Sequence, residues 1–274
     1  MKNKKFVFAG NRANVLQKMM ELKLDIVKIW AVENSYLQRF LEENRIPYEV
    51  IKNKSELVKE IQKESFDYFI SNGLPIILPI DKLQIDNKQF INIHPSLLPD
   101  LRGKDPVPGA LLFKRKIGTT CHYMDNGIDS GDIIAQVEID NTPDLDAGLL
   151  YQLSFIAEAE VFEKAYINQF QPVKKQILSG NEIYYSYKEN DLIIDFENEE
   201  TYEIIAKVKA FSTRNKRAIL NIGGEIFRCW DAEIVENKFA LENKDILFNN
   251  REMFKYENKV LVCKTKEIIK FTIG

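Results

Sequence analysis

The chain has 274 residues, 45% of them hydrophobic and 29% charged, which is the composition of an ordinary globular protein with a sizeable core. Its 38 basic and 41 acidic residues leave a net charge of −3, which argues against nucleic acid as the main partner because such binding needs concentrated lysine and arginine. Two histidines exclude a histidine-rich metal site, and three scattered cysteines favour a reducing compartment over a disulfide framework.

The first 170 residues alternate short apolar runs with segments of helical spacing. This alternation predicts an α/β domain with a mostly parallel sheet flanked by helices. A loop rich in Gly and Asp joins the last two of these strands as a pair. The predicted strands are Lys5–Ala9, Ile26–Ala31, Tyr48–Ile51, Tyr68–Ser71, Phe90–Ile93, Thr119–Met124 and Ile133–Ile139; the predicted helices are Ala13–Leu22, Tyr36–Asn44, Ser55–Glu64 and Leu149–Phe170.

The pattern changes after about residue 190, where short strand-like runs are separated by turns such as Gly223-Gly224. This texture predicts a small all-β subdomain over residues 189–274, of the oligonucleotide/oligosaccharide-binding (OB) type. From Asp195 onward it carries 14 basic and 14 acidic residues, so it has no net charge. Its predicted strands are Ala218–Ile222, Glu225–Trp230, Asp245–Phe248, Lys259–Lys264 and Ile268–Ile273.

The first strand ends in the turn Gly10-Asn11-Arg12. The turn has one glycine where a dinucleotide-binding turn has three, so that fingerprint is absent. Backbone N–H groups at the start of the next helix, with Arg12 beside them, suit a phosphate or carboxylate. A plain strand–helix turn with a surface arginine is an equally good interpretation.

The segment FINIHPSLLPDLRG, residues 90–103, places Asn92 and His94 two residues apart on a strand, so both point to the same face. An imidazole can accept a proton from an attacking nucleophile near neutral pH, and a carboxamide N–H can stabilise an oxyanion. From spacing alone the commoner arrangement is structural, with the two side chains satisfying each other and the backbone.

The segment TTCHYMDNGIDSGDII, residues 119–134, forms an acidic loop between two strands. The ligand spacing and closing Glu of a calcium loop are missing. One of its carboxylates, Asp125, Asp129 or Asp132, could orient the histidine as the third member of a triad does; the alternative is a turn built from Asp and Gly for backbone reasons. His122 lies on the preceding strand among apolar or small residues, and we expect it to be structural.

Together, INIHPSLLP and HYMDNGIDSGDII resemble the 10-formyltetrahydrofolate-dependent formyltransferase family, whose pattern is N-x-H, then S-L-L-P and R-G, then a D-x-G-x-D-x-G loop. The resemblance covers about residues 5–170. It implies a Rossmann-like formyltransferase catalytic domain, which we assign to residues 1–188. The implied co-substrate is 10-formyltetrahydrofolate, with no metal.

Matched position by position, the resemblance makes Asn92, His94 and Asp129 the catalytic residues. His94 would take the proton of the attacking amine, Asn92 would hold the oxyanion, and Asp129 would orient His94 and stabilise its protonated form. Lys104, where some relatives have arginine, offers a cation for the folate's glutamate tail. The implied cofactor-binding residues are Ile76, Ile77, Leu78, Lys104, Asp125, Asn126, Gly127 and Ile128; the implied substrate-binding residues are Gly10, Asn11, Arg12 and Arg102.

Three acceptor classes occur in this family. The methionyl-tRNA enzymes carry a basic insertion after the second strand, whereas here IVKIWAVEN runs almost directly into SYLQRFLEEN. The glycinamide ribonucleotide enzymes have a similar first turn but lack the extra β unit. We therefore favour a dTDP- or UDP-linked amino deoxysugar made for bacterial surface polysaccharide, and keep the other two as alternatives.

A binding protein for folate or nucleotide that has lost catalysis is the alternative from another class. The expected partners are the nucleotide-linked amino sugar and folate, without nucleic acid or membrane. Because the basic N-terminus lacks the apolar length of a signal peptide and no run reaches about 18 apolar residues, we expect a cytoplasmic protein. A homodimer is expected on family analogy alone.

Overall fold

A computed structural model describes residues 3–83 and 87–274. They fall into two compact units. The first unit comprises the chain up to Pro106 together with Lys116–Asp140 and Gln152–Tyr185; the second comprises Val107–Arg115, Asn141–Tyr151 and Ser186–Gly274. The predicted domain assignment of 1–188 and 189–274 stays a prediction.

The first unit is organised around one sheet, which has seven strands in the described part of the chain, in the order β3-β2-β1-β4-β5-β6-β7. Strands β1 to β5 pair in parallel, and β6 and β7 continue the sheet antiparallel. The strands are β1 (Lys5–Gly10), β2 (Asp25–Val32), β3 (Glu49–Ile51), β4 (Tyr68–Asn72), β5 (Gln89–His94), β6 (Ile117–Tyr123) and β7 (Ile133–Ile139). The mostly parallel α/β class is confirmed.

Helices alternate with these strands, as expected where parallel strands need crossover connections. They are α1 (Asn14–Glu21), α2 (Tyr36–Glu43), α3 (Lys54–Lys63), α4 (Ile80–Leu83), α5 (Pro106–Leu112) and α6 (Ala147–Ile167). Side chains of Ser35 and Asn53 cap α2 and α3 by accepting hydrogen bonds from backbone N–H groups of the first turn.

Strand β1 is buried on both faces, which explains its run of apolar residues without polar alternation. Phe6 and Phe8 pack into one core cluster, whereas Val7 and Ala9 pack into the cluster on the opposite face. Because alternate side chains point to opposite faces, one strand contributes to both layers of the core. The carboxyl end of this strand therefore emerges from a rigid, fully packed environment.

The second unit contains, within the described residues, a five-stranded antiparallel sheet in the order β10-β11-β12-β9-β8. A helix not predicted from the sequence, α7, packs Ile204 and Val208 into the core of this sheet. The elements are α7 (Thr201–Ala210), β8 (Ala218–Ile222), β9 (Glu225–Ile234), α8 (Lys238–Glu242), α9 (Lys244–Phe248), β10 (Met253–Tyr256), β11 (Lys259–Lys264) and β12 (Glu267–Ile273). The predicted C-terminal sheet is present.

One predicted strand is wrong: Asp245–Phe248 lies in helix α9. A run of four residues is too short for its periodicity to distinguish a strand from a helical turn. In the helix, Phe248 is buried while Ile246 is 78% exposed, although both would share one face of a strand. No helix among the described residues is long and apolar enough to span a membrane.

Candidate active site

One face of strand β5 is apolar at its carboxyl end, whereas the other face is apolar at its start and polar at its carboxyl end. Ile91 and Ile93 enter one core cluster, and Phe90 enters the cluster on the other face. Asn92 and His94 share the face of Phe90, since side chains two residues apart point the same way. Strands β4 and β6 pair with β5 on its two sides, so both polar side chains have fixed positions in the sheet.

Asp129 lies in the loop between β6 and β7, with a left-handed backbone conformation at φ +50°. Its Oδ1 accepts a hydrogen bond from Asn92 Nδ2 at 3.3 Å, and its Oδ2 lies 3.6 Å from His94 Nδ1. The backbone N–H of Gly103 donates to Oδ2 at 3.1 Å. The structure thus brings together all three predicted catalytic residues, from two segments 35 residues apart in the chain.

The charge state of this cluster follows from its burial and partners. Burial opposes ionisation of Asp129, but His94, His122 and the Gly103 amide outweigh it and hold the pKa of the carboxyl well below its ordinary value. Burial also lowers the pKa of His94, and the nearby Asp129 charge restores only part of the loss. At neutral pH the site therefore holds a carboxylate beside an uncharged imidazole.

His94 has a defined tautomer in this arrangement. Its Nε2 lies 2.9 Å from the carbonyl oxygen of Leu101, and since a carbonyl only accepts, Nε2 carries the proton. The lone pair is then on Nδ1, the nitrogen that faces Asp129. A proton accepted at Nδ1 would place an imidazolium directly beside a carboxylate, which stabilises the charged form.

His122, expected to be structural, belongs to the same cluster. It lies opposite Asn92 in the antiparallel register of β5 and β6. Its Nδ1 donates to the carbonyl of Tyr123 at 2.7 Å, which leaves Nε2 to accept from Asn92 Nδ2 at 3.3 Å. The same Nε2 lies 3.6 Å from Asp129 Oδ1. The sequence does contain a signal for this position: alternation along the predicted strand Thr119–Met124 puts Thr120, His122 and Met124 on one face.

Two segments, 76–78 and 125–128, carry all of the predicted cofactor-binding residues except Lys104. The backbone N–H of Asp81, in α4 just after the first segment, donates a hydrogen bond to Asn126 Oδ1 at 3.1 Å. Ile77 is 62% exposed and Ile128 is 48% exposed, whereas Leu78 is buried. Exposed aliphatic side chains on neighbouring loops suit the face of a flat aromatic ring. The cofactor-binding assignments stay predictions.

The acidic loop has its own internal bonds. Asp125 Oδ1 accepts from the backbone N–H of Gly127 at 3.0 Å and from the hydroxyl of Ser130 at 2.6 Å. These bonds close the turn that presents Asn126 and Ile128. Ile76 packs at the edge of a core cluster, and Lys104 is exposed. The exposed ammonium of Lys104 is accessible to a negatively charged ligand group.

Arg102, predicted to bind substrate, is buried and its guanidinium is engaged within the protein. It donates to Gln176 Oε1 at 2.6 and 3.1 Å and to the Tyr184 hydroxyl at 2.9 Å. Gln176 in turn donates to the backbone carbonyls of Asp129 and Gly131. Through Gln176, Arg102 holds the backbone of the acidic loop and so helps to position Asp129. Contact between Arg102 and the substrate stays a prediction.

The remaining predicted substrate residues lie at the carboxyl end of β1. A Cβ at Gly10 would come within 2.0 Å of the Asn72 carbonyl oxygen, so the close approach of β1 to β4 requires glycine there. Arg12 forms an ion pair with Glu158 and lies over the ring of Phe155 at 5.3 Å. No described group of three or more His, Cys, Asp or Glu side chains is arranged to hold a metal ion.

The chain is similar in sequence to known formyl transferases. Residues 30–166, half of the chain, match the family model described as formyl transferase. A methionyl-tRNA formyltransferase of Clostridium perfringens is 34% identical over 104 residues, which cover 38% of this chain and 34% of that protein. One from Bacillus mycoides is 29% identical over 194 residues, 68% of this chain and 59% of the relative. The chain thus spans from about a third to three fifths of these relatives.

Solved structures show the same fold over nearly the whole chain. WlaRD, a sugar 3-N-formyltransferase crystallised with dTDP and 5-N-formyl-tetrahydrofolate, is 21% identical, with a TM-score of 0.75 over 98% of this chain and 97% of that one. An N-formyltransferase from Helicobacter canadensis, in complex with folinic acid and dTDP-3-aminofucose, is 19% identical, with a TM-score of 0.73 and 99% coverage of both chains. The resemblance found in the sequence is confirmed.

Proposed function

This chain belongs to the formyl transferase family, and we propose that it moves a formyl group from 10-formyltetrahydrofolate to the amino group of a nucleotide-linked amino deoxysugar. The observation that carries the proposal is the cluster of Asn92, His94 and Asp129, in which an ionised carboxylate faces the lone-pair nitrogen of an uncharged imidazole. That pairing is the charge arrangement that a general base needs before it takes a proton.

In the proposed reaction the bound folate supplies the formyl carbon as electrophile. His94 accepts at Nδ1 the proton that the acceptor amine loses as its new C–N bond forms. Asp129, held ionised, stabilises the resulting imidazolium. The proton on His94 is then available to the folate nitrogen that departs as the old C–N bond breaks, so the histidine ends the cycle uncharged.

Asn92 is suited to the oxygen of the reacting carbonyl. Its two N–H bonds, to His122 and Asp129, are each 3.3 Å, at the long end of the normal range. An oxyanion attracts an N–H donor more strongly than a neutral acceptor does, so it would compete for one of these hydrogens as negative charge develops. His122 and Asp129 hold the carboxamide in place until then.

The sugar acceptor is supported by charge and by chain length between elements. Strand β2 ends at Val32 and helix α2 begins at Tyr36, which leaves no room for a basic insertion. The protein's net charge is −3, whereas a tRNA enzyme needs a basic track. Two neighbours of the same fold were solved with dTDP or a dTDP-linked amino sugar, which makes dTDP the first carrier to test and UDP the second.

Methionyl-tRNA is the second candidate acceptor, because the sequence relatives described above act on it. The family model matches residues 30–166, which contain Asn92, His94 and Asp129 and do not by themselves distinguish the acceptors. Glycinamide ribonucleotide remains an alternative, as does a catalytically inactive binding protein. The proposal extends to a cytoplasmic homodimer acting in surface-polysaccharide synthesis; free thiols at Cys121, Cys229 and Cys263 suit a reducing compartment.

The test is an acceptor panel assayed by mass spectrometry, with 10-formyltetrahydrofolate as donor. The panel contains dTDP- and UDP-linked amino sugars, initiator methionyl-tRNA and glycinamide ribonucleotide. We expect a mass gain of one formyl group on a nucleotide-linked amino sugar. Formylation of the tRNA with none of the sugars would replace the proposal by the second candidate, and binding without any product would favour the inactive binding protein.

A further inference from the structure

The segment 173–185, which follows α6 and which we call the strap, contacts both loops that surround the catalytic histidine. Its first residues pair with the start of β7: the backbone N–H of Val173 donates to the Ile133 carbonyl at 2.8 Å. In return, the N–H of Ile133 donates to the Lys174 carbonyl at 2.9 Å. The strap is therefore anchored beside the end of the acidic loop that carries Asp129.

Gln176 of the strap uses its whole carboxamide to hold that loop. Its Nε2 donates to the backbone carbonyls of Asp129 at 2.9 Å and Gly131 at 2.7 Å, and its Oε1 accepts two bonds from Arg102. Both N–H donors and both lone pairs of the carboxamide are thus engaged. Asp129 has a left-handed backbone at φ +50°, which a residue with a side chain adopts at a cost, so these bonds help to keep it there.

The other end of the strap holds the loop that follows β5. The backbone N–H of Ile183 donates to Asp100 Oδ1 at 2.9 Å, the same oxygen that accepts from the N–H of Leu101 at 3.0 Å. Leu101 is also left-handed, at φ +55°, and its carbonyl is the partner of His94 Nε2. The strap thus holds the residue that sets the tautomer of His94 as well as the residue that carries its carboxylate partner.

Arg102 connects the two ends of the strap. Its buried guanidinium donates to Gln176 and to the Tyr184 hydroxyl, and a buried guanidinium needs such acceptors because it has lost its water. The next residue, Gly103, donates its backbone N–H to Asp129 Oδ2 at 3.1 Å. The strap and the two loops therefore form one continuous network of hydrogen bonds around the catalytic pair.

The catalytic pair is sensitive to the position of its carboxylate. His94 Nδ1 and Asp129 Oδ2 lie 3.6 Å apart, beyond normal hydrogen-bond length, so their attraction is electrostatic and weakens with distance. The charge of Asp129 raises the pKa of His94, while burial, His122 on β6 and Arg12 after β1 lower it. A loop that moves away from His94 would therefore reduce the ability of the imidazole to take a proton.

We propose that the strap is a positioning element of the catalytic cluster, and that Gln176 is the positioning residue that fixes Asp129 against His94. The inference rests on the proposed function and deepens it, since it explains how the general base keeps its carboxylate partner in place. Gln176 acts through Asp129 and is not itself a catalytic residue.

The test compares Gln176→Met, which keeps the length of the side chain without its hydrogen bonds, with Gln171→Met, the same change at an exposed glutamine just before the strap. Because a misplacement of about 1 Å can cost about 10²-fold, we expect kcat for the amino sugar to fall by roughly 10–100-fold in Gln176→Met. The control should stay within about twofold of wild type. The acidic limb of the kcat/KM profile should move to lower pH only in Gln176→Met, because His94 loses part of the attraction of Asp129.

A second measurement needs no acceptor. The chain has two histidines, so histidine-specific 15N labelling gives two side chains to follow by nuclear magnetic resonance, and His94→Asn identifies the signals of His94. We expect the titration of His94 in Gln176→Met to lie at lower pH than in wild type, or to leave the observed range at its acidic end. A wild-type kcat in folded Gln176→Met would overturn the inference, as would a lower kcat with an unmoved limb and an unmoved His94 titration.

Gln176→Glu keeps the test decisive if Gln176→Met fails to fold. It retains an acceptor for Arg102 but removes both N–H donors to the acidic loop, so we expect the same loss in kcat, and wild-type kcat there would also overturn the inference. The proposed function fails differently: the wild-type protein would then formylate no nucleotide-linked amino sugar, while the histidine titrations would still show whether Gln176 holds Asp129 against His94.

Discussion

Two polar clusters at the carboxyl edge of one sheet differ in how many of their side-chain polar atoms have hydrogen-bond partners within the protein. Around Asp129, the carboxylate, the carboxamide of Asn92 and both histidines have hydrogen-bond or charge partners within the protein. Around Glu158, five side-chain atoms of the described residues make no hydrogen bond of normal geometry. They are Asn11 Oδ1, Asn72 Oδ1, Asn72 Nδ2, Ser154 Oγ and Glu158 Oε2. The first cluster is fully bonded and reacts by moving a proton, whereas the second keeps polar atoms that the protein alone does not satisfy.

The largest effect expected at the catalytic cluster is that of His94→Asn. Removing a general base typically costs about 10²–10⁴-fold in rate, so we expect kcat to fall by that factor. Binding of a folate analogue and the far-ultraviolet circular dichroism spectrum should change little, because β5 is held by its neighbours. Activity retained within about tenfold of wild type would contradict the proton-transfer role.

The largest effect at the Glu158 cluster is on stability. Arg12→Met leaves a fully buried carboxylate without its cation, and breaking a buried pair from one side costs about 3–5 kcal/mol. The double variant Arg12→Met/Glu158→Leu should recover most of the loss, since it leaves no charge uncompensated. Urea unfolding measures both. If the double variant is as unstable as the single one, the ion pair is not the reason for the loss.

The sequence predicted one cluster and not the other, for a physical reason. Asn92, His94 and Asp129 lie in short segments whose residue types suffice to suggest their chemistry. His122 joins them through the β5–β6 register, which is set by long-range pairing that a single strand's pattern does not contain. Glu158 looks like a solvent-facing residue of a helix, and its burial becomes evident only when Arg12 is placed against it.

The secondary structure was likewise predicted correctly where the local sequence pattern is strong and wrongly where it is short or weak. Strands Ala218–Ile222, Ile133–Ile139 and Lys259–Lys264 have their predicted bounds, because each is a run flanked by turn residues. Asp245–Phe248 was wrong because so short a run fits either a strand or one turn of helix. Helix α7 was missed because its buried apolar residues Ile204 and Val208 show the one-turn spacing only once.

His122→Gln is a smaller change to the catalytic cluster, because the glutamine carbonyl oxygen can still accept a hydrogen bond from Asn92. We expect kcat to fall by about tenfold, because Asn92 and Asp129 lose part of their positioning. The neighbouring His122 helps to lower the pKa of His94, so its removal should move the acidic limb of the kcat/KM profile to higher pH. A rate loss with an unmoved limb would reduce His122 to a purely structural residue.

The two clusters should respond oppositely to pH. The pKa of His94 is lowered by burial, so the unfolded chain binds more protons there, and this contribution to stability is lost as pH falls below about 6.5. Burial raises the pKa of Glu158 despite Arg12, so its contribution is present below about 4.5 and is lost as pH rises through the folded-state value. Melting curves from pH 4 to 8 should therefore show Glu158→Gln gaining on wild type with rising pH, and His94→Asn gaining with falling pH. Parallel curves would contradict both assignments.

The smallest expected effect comes from comparing a buried hydroxyl that makes a hydrogen bond with one that makes none. Ser96 and Ser154 are both buried, at 2% and 1% exposure, but only Ser96 donates a hydrogen bond, to the Asp100 carbonyl at 2.8 Å. Ser96→Ala should cost about 1 kcal/mol of unfolding free energy, because the hydrogen bond to Asp100 is lost. Ser154→Ala should change stability by less than about 0.5 kcal/mol or raise it, since the hydroxyl it removes contributes no bond to the free protein. Urea unfolding of both variants measures the pair, and a loss at Ser154 equal to that at Ser96 would mean that the Ser154 hydroxyl is hydrogen-bonded within the protein.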